Sequence, residues 1–201
     1  MKVVVITGGI GSGKSMACCY LNRRYGWPVY EADARVKELY SCHPTLLSDI
    51  ENALAAELRN EDGSLNPQAL SDIIFQDAEA LTKVESFVFP ALLDDFDNWK
   101  ASHADNMYVI LESATILEKP QLKGLGDCVL LIDAPVEIRL SRAACRDGAS
   151  EEKILLRMAR QKMMNDISSG AVQAPADQII LNDGTVGNLE EKLDGFVKST
   201  L

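Results

Sequence analysis

The residues best suited to chemistry lie in a glycine-rich segment near the start of the chain. Residues 8–15 read Gly-Gly-Ile-Gly-Ser-Gly-Lys-Ser and fit the pattern G-x-x-x-x-G-K-[ST], in which backbone N–H groups cradle phosphates, the lysine contacts the β- and γ-phosphates and the hydroxyl binds Mg²⁺. An apolar run precedes the segment and a helix is predicted over 15–24, which is the strand–loop–helix context that the pattern requires. We therefore expect a nucleoside triphosphate site rather than an ordinary glycine turn. The expected contacts are Gly11, Ser12, Gly13, Lys14, Ser15 and Met16, with Ser15 also binding the metal.

A proton acceptor for phosphoryl transfer is expected just after the second predicted strand, where the chain carries Asp33. A carboxylate at the carboxyl end of a strand beside a phosphate-binding loop can accept the proton of an attacking hydroxyl. A carboxylate here can equally cap a helix that starts at Ala34. The spacing alone does not separate these two roles.

Two further carboxylates end apolar strands and are candidates for supporting Mg²⁺. Glu112 follows Tyr-Val-Ile-Leu, and Asp133 follows Val-Leu-Leu-Ile. Either side chain can reach the ion through water, because Mg²⁺ keeps several waters when it binds phosphates. The sequence does not rank the two.

Arginines that could stabilise a moving phosphoryl group are concentrated in the last third of the chain. Arg139, Arg142 and Arg146 are three and four residues apart, which places them on one face of a predicted helix. Arg157 and Arg160 lie on the next predicted helix. Two such helices around a glycine-containing corner are typical of a lid that closes over ATP. The alternative is a solvated surface of arginine–glutamate pairs, and we expect only one or two of the arginines to contact phosphate.

The composition is that of a globular protein, with 47% hydrophobic and 25% charged residues. The formal net charge of −10 argues against a general nucleic-acid binder. We expect neither a membrane span nor a signal peptide, because the apolar runs are too short. The five cysteines are odd in number and form no C-x-x-C pair, so we expect free thiols in a reducing cytoplasm rather than disulfides or a zinc site. The oligomeric state is not predicted.

Short apolar runs alternate with helical patterns, which predicts an α/β fold with a mainly parallel sheet. The right-handed crossover rule places the phosphate-binding loop at the carboxyl end of the first strand. The predicted strands are Lys2–Thr7, Val29–Glu31, Tyr108–Glu112, Cys128–Asp133 and Gln178–Leu181.

Helical segments fill the intervals between these strands. In the long interval after the second strand, Asn66 is expected to cap a helix that begins at Pro67, and Pro90 to start another. A pair of helices is predicted from Pro135 to about residue 165, with Ser150 capping the second. The last helix is expected to begin near Asn188, with Glu191 completing a capping box.

The order of these motifs resembles the dephospho-CoA kinase family over nearly the whole chain. The resemblance implies a three-layer P-loop NTPase fold with a parallel five-stranded sheet, a helical substrate-binding insert and a helical lid. It further implies one kinase domain, with a core at about 1–34, 105–138 and 173–201, an acceptor-binding insert at about 35–104 and a lid at about 139–172. Besides the glycine-rich segment, the residues that carry the resemblance are Ala32-Asp33, Asp62-Gly63-Ser64-Leu65, Ala69-Leu70, Ile74-Phe75, Arg142, Arg146-Asp147, Gln161, Ala176-Asp177 and Asn182-Asp183-Gly184.

The activity implied by the resemblance is phosphorylation of the ribose 3′-hydroxyl of dephospho-CoA by ATP with Mg²⁺, which gives CoA and ADP. The implied catalytic residues are Asp33 as general base, Lys14 as phosphate contact and Arg146 as lid arginine. The implied nucleotide contacts beyond the loop are Arg142 and Asn182, the latter flanking the adenine.

The chain also departs from the usual family pattern. Glu31 replaces a common Asp, Met16 a common Thr and Phe89 a common His, and residues 112–118 replace a Pro-Leu-Leu-Phe-Glu segment. The last two departures fall where the acceptor is expected to bind. Two other functions stay open: a P-loop kinase acting on a nucleoside or nucleoside monophosphate and, ranked lower, a nucleotide-binding switch without phosphotransfer.

Overall fold

The computed structural model describes residues 1–200, and these form two compact units. The first contains Met1–Glu31 and the chain from His103 onwards, and the second is Ala32–Ser102. Within residues 1–200, no helix combines the length and apolar character needed to cross a membrane.

The first unit is built on a five-stranded parallel sheet, as predicted. The strand order is β2-β3-β1-β4-β5, so the first strand lies at the centre. The strands have the predicted bounds: β1 (Lys2–Thr7), β2 (Val29–Glu31), β3 (Tyr108–Glu112), β4 (Cys128–Asp133) and β5 (Gln178–Leu181).

The register of the sheet brings the chemically interesting strand ends to one edge. Ile6 of β1 pairs with Glu112 of β3, and Thr7 pairs with Leu131 of β4. Because all the strands are parallel, their carboxyl ends share this edge. The glycine-rich segment therefore leaves β1 between the ends of β3 and β4.

The core of the first unit lies between the sheet and the helices α1 (Lys14–Tyr25) and α9 (Val186–Thr200). Ile6, Ile110 and Leu130 of the three central strands are fully buried, and Leu21 of α1 and Phe196 of α9 belong to the same cluster. Burial of such side chains contributes about 1.5–3 kcal/mol each. This packing gives the phosphate-binding segment a rigid base.

Three helices lie between β4 and β5, where the sequence predicted a pair. They are α6 (Val136–Asp147), α7 (Glu151–Ala159) and α8 (Lys162–Ser168). Ser150 occupies the predicted N-cap position of α7, but its side chain makes no capping hydrogen bond among the described residues. The additional break falls at Arg160 and Gln161, and the Gln161 side chain bonds to a distant backbone group instead of continuing a helical face.

The predicted capping box of α9 was wrong by one helical turn. The box is formed by Thr185 and Asn188, because Thr185 N donates to Asn188 Oδ1 (3.0 Å) and Asn188 N donates to Thr185 Oγ1 (3.3 Å). Asn188 is thus the third residue of the box rather than its first, and the helix begins at Val186. A Thr–Asn pair satisfies the terminal N–H groups as a Thr–Glu pair does.

The second unit consists of four helices: α2 (Ala32–Cys42), α3 (Leu46–Leu54), α4 (Pro67–Gln76) and α5 (Ala78–Ser102). Asn66 caps α4 as predicted, since its Oδ1 accepts from Gln68 N and Ala69 N. Arg35 of α2 forms a two-pronged ion pair with Asp95 of α5, both bonds at 2.7 Å. That geometry fixes α2 against α5 within this unit.

The prediction that Pro90 begins a helix was wrong, because α5 continues through it. Buried side chains lie on both sides of the proline, among them Val88, Leu92 and Phe96. Pro90 itself is exposed, so its ring stays outside the core. Burial of the continuous apolar face offsets the lost hydrogen bond to the carbonyl of Ser86.

Candidate active site

The glycine-rich segment forms a tight loop between β1 and α1. Ser12 N donates to Gly9 O at 3.1 Å, and Gly13 precedes α1 with φ at 104°. A Cβ at Gly13 would lie 2.2 Å from Nδ2 of Asn182, so a side chain is excluded here by both backbone conformation and space. The loop therefore presents bare backbone at the N-terminal end of α1, where N–H groups and the helix dipole favour an anion.

Lys14 lies over this loop and faces a carboxylate. Its Nζ donates to Gly9 O at 3.5 Å and lies 3.8 Å from Oε1 of Glu112. Both side chains are nearly buried, at 11% and 12% exposure. Ser15 and Met16 follow on the exposed side of the first turn. The structure thus brings Lys14, Ser15 and Glu112 to one end of the sheet.

Asp133 lies at the same edge, on the other side of β1. Its Oδ1 is 3.9 Å from Nη1 of Arg139, and this buried oxygen has no hydrogen-bond partner among the described residues. The residues predicted to hold a metal therefore lie together at this edge: the hydroxyl of Ser15 and the carboxylates of Glu112 and Asp133. Hard oxygen donors of this kind suit Mg²⁺ bound mainly through phosphates and water. No group of three metal-ligating His, Cys, Asp or Glu side chains occurs within residues 1–200.

Three side chains from distant parts of the chain hold the loop from behind. Asn182 Nδ2 donates to Ser12 O at 2.8 Å, and Gln161 Oε1 accepts from Ile10 N at 2.8 Å. Arg139 Nε donates to Ile10 O at 3.0 Å. Asn182 was predicted to contact nucleotide and Arg139 was grouped with the lid arginines, whereas no contact role was predicted for Gln161. Each of these hydrogen bonds joins residues that are 129 to 170 positions apart in the chain. No local spacing pattern in the sequence could therefore have predicted them.

Arg142 is located beside a small cavity at the first turn of α1. Its Nη1 donates to Asn182 O at 3.0 Å. The cavity, of about 130 Å³, is lined by Gly13, Met16, Arg142, Asn182, Gly184 and Val186. Arg142, Asn182 and Met16, all predicted to contact nucleotide, therefore share one small cavity next to the phosphate-binding loop.

The three arginines of α6 have different surroundings, although their spacing suggested one shared face. Arg139 is 1% exposed and Arg146 is exposed. Arg146 pairs with Asp147, which also accepts from Arg157 of α7. The two guanidinium groups lower the pKa of Asp147 to about 2. This ion-pair group joins the end of α6 to α7.

Asp33 lies in the second unit, at the second position of α2, where it is exposed. The alternative prediction was that Asp33 caps a helix starting at Ala34. It was wrong in position, because α2 already begins at Ala32. A carboxylate within the first turn still interacts favourably with the helix dipole.

The cysteines of the described residues are all free, as predicted. Cys18 lies on α1 just after the loop and is buried, and burial raises the pKa of its thiol. A thiol held protonated in this way is a packing group rather than a nucleophile.

A family model and two curated relatives indicate one family. The model of a family described as "Dephospho-CoA kinase" matches residues 2–188. A dephospho-CoA kinase of Acinetobacter baylyi is 36% identical over 96% of this chain and 95% of its own length. One from Porphyromonas gingivalis is 35% identical over 90% of this chain and 86% of its own. The crystal structure of TT1252 from Thermus thermophilus superposes with a TM-score of 0.81 at 28% identity, over 100% of this chain and 98% of that one.

Proposed function

The chain belongs to the dephospho-CoA kinase family, and we propose on this basis that it transfers the γ-phosphoryl group of ATP to the ribose 3′-hydroxyl of dephospho-CoA. The products are ADP and CoA, so the reaction is the last step of coenzyme A biosynthesis. The single observation that carries the proposal is the family match over residues 2–188. It is supported by a phosphate-binding loop with Lys14 above it.

ATP binds at the phosphate-binding loop and in the cavity beside it. Residues 11–16 surround the phosphates, with Lys14 contacting the β- and γ-phosphates. Arg142 and Asn182 contact the adenosine end, because both line the cavity next to Gly13.

Asp33 is the general base that removes the proton from the acceptor. Its carboxylate accepts the proton of the ribose hydroxyl as that oxygen attacks the γ-phosphorus. Asp33 lies in the first turn of α2 and is exposed to solvent. The positive charge of Arg146 then stabilises the phosphoryl group during its transfer.

Mg²⁺ is the expected metal, and Ser15 with either Glu112 or Asp133 would hold it. Bound with the triphosphate, the ion neutralises phosphate charge. The residues present fit this role, because Ser15 lies in the first turn of α1 and both carboxylates end strands at the loop's edge of the sheet.

The remaining parts of the chain receive the following roles. Residues of about 35–104 bind dephospho-CoA, and residues of about 139–172 form a lid that closes over ATP. The other residues form the core of one kinase domain. The free cysteines support a cytoplasmic location.

A direct assay tests the proposal. The purified protein, incubated with Mg·ATP and dephospho-CoA, is expected to yield ADP and CoA in equal amounts, resolved by chromatography and identified by mass. A Lys14→Ala variant serves as the control for contaminating kinases and is expected to form neither product. ADP without CoA from the wild-type chain would show that the acceptor is not dephospho-CoA.

A further inference from the structure

Arg139 occupies a position that the proposed reaction does not explain. It belongs to α6, yet its side chain is 1% exposed and packs against the back of the phosphate-binding loop. A Cβ at Gly9 would lie 2.0 Å from Nη2 of Arg139, and a Cβ at Gly11 would lie 2.1 Å from the Arg139 carbonyl oxygen. The glycines of the loop therefore make room for this arginine as well as for phosphate.

The charge of Arg139 is incompletely compensated. Nη2 is buried without a hydrogen-bond partner among the described residues. Asp133 is 3.9 Å from Nη1, which is too long for a hydrogen bond. Burial lowers the pKa of the guanidinium and Asp133 opposes this effect, but an arginine keeps its proton in proteins. Burying a charge with so few partners costs free energy.

A polyphosphate in front of the loop would offset that cost. Arg139 lies directly against the loop backbone, with its Nε 3.0 Å from Ile10 O. An anion bound there adds negative charge to that of Asp133 at 3.9 Å, and in a poorly solvated site such an interaction is strong. The guanidinium of Arg139 also donates to Ile10 O, while Gln161 accepts from Ile10 N. Together these two bonds set the direction of the loop's amide groups.

We propose that Arg139 is a positioning residue for the triphosphate: it holds the loop through Ile10 and places a buried positive charge behind it. The inference rests on the proposed function only in taking ATP as the phosphoryl donor. A residue that merely stabilises the fold would lower the stability of the unliganded protein and leave nucleotide affinity alone.

The experiment compares Arg139→Gln and Arg139→Lys with the wild type. Arg23→Gln is the matched control, because Arg23 is a surface arginine of α1 that pairs with Glu190. Dissociation constants for ATP, ADP and AMP are measured by calorimetry without acceptor, and unfolding midpoints are measured without nucleotide. kcat and KM for both substrates follow.

For Arg139→Gln we expect ATP affinity to fall by about tenfold or more, in line with the loss of a charge-assisted contact. The loss should be smaller for ADP and smallest for AMP, and the unliganded midpoint should not fall. Arg139→Lys should recover part of the ATP affinity, and KM for dephospho-CoA should not change.

Equal losses for the three nucleotides, or unchanged ATP affinity, would overturn the proposal. If Arg139→Gln does not fold, the Arg139→Lys series decides by the same criterion. Because binding is measured without acceptor, a chain that failed to phosphorylate dephospho-CoA would still give a clear result here.

Discussion

Asp33 and Lys14 are the residues whose proposed roles differ most sharply. Lys14 lies over the phosphate-binding loop with nearly all of its side chain buried, whereas Asp33 is exposed at the start of α2. A residue that contacts ATP affects both binding and rate, and a base that acts on the acceptor affects the rate alone.

The first prediction concerns Asp33→Asn. We expect it to keep wild-type ATP affinity and to lower kcat by about 10²- to 10⁴-fold, the range typical of a general base. Lys14→Ala is the contrasting variant and should weaken ATP binding as well as turnover. Steady-state kinetics with calorimetry of ATP binding checks both. Near-normal turnover by Asp33→Asn would mean that another group accepts the proton.

The second prediction concerns Asp147, whose carboxylate forms ion pairs with Arg146 and Arg157. Its folded-state pKa is about 2, below the ordinary aspartate value of 3.8, so its contribution to stability is present above about pH 4 and is lost as pH falls through about 2. The midpoint difference between the wild type and Asp147→Asn should therefore be constant from pH 7 to about pH 4 and shrink below it. Asp105→Asn, at an exposed position, is the control. A difference that already disappears at pH 6 would contradict the pairing.

Among the elements, the strands were predictable and some of the helix boundaries were not. Each strand is a short and mostly apolar run, a pattern that depends only on neighbours in the chain. The course of α5 through Pro90 depends on which face packs against the rest of its unit, which a local proline signal does not reveal. For the same reason the loop itself was predictable, and the supports that Arg139 and Gln161 give it were not.

The third prediction tests the interpretation of α5. Because Pro90 is exposed and removes one backbone hydrogen bond, Pro90→Ala should stabilise the protein by about 1–3 kcal/mol. Chemical denaturation followed by circular dichroism measures the change. Lys83→Ala, at another exposed position of α5, controls for helix propensity and should have a smaller effect. Destabilisation by Pro90→Ala would show that the proline is needed for the packing of this helix.

For the whole molecule, the two compact units each contain one tryptophan. Trp27 is buried in the first unit and Trp99 lies in the second. Each therefore reports on its own unit by fluorescence. The net charge of −10 makes local positive charge at the loop more important for attracting a polyphosphate.

The fourth prediction uses these reporters. In Trp99→Phe, ATP should raise the unfolding midpoint that Trp27 reports, because the loop belongs to the first unit. In Trp27→Phe, dephospho-CoA should raise the midpoint that Trp99 reports, because it adds about 2.7 kcal/mol to the free energy of unfolding at a hundredfold excess over Kd. A Trp99 transition that does not respond to dephospho-CoA would contradict the assignment of the acceptor to the second unit.

The most direct test of the central claim is a competition between acceptors. ATP with Mg²⁺ is supplied with dephospho-CoA, adenosine and AMP together, and kcat/KM for each acceptor is obtained from the phosphorylated products. We expect dephospho-CoA to be preferred by a factor of about 10³ or more, which differential binding of a large acceptor can provide. A preference for adenosine or AMP would instead make the chain a nucleoside or nucleotide kinase, and ATP binding without any product would make it a nucleotide-binding switch.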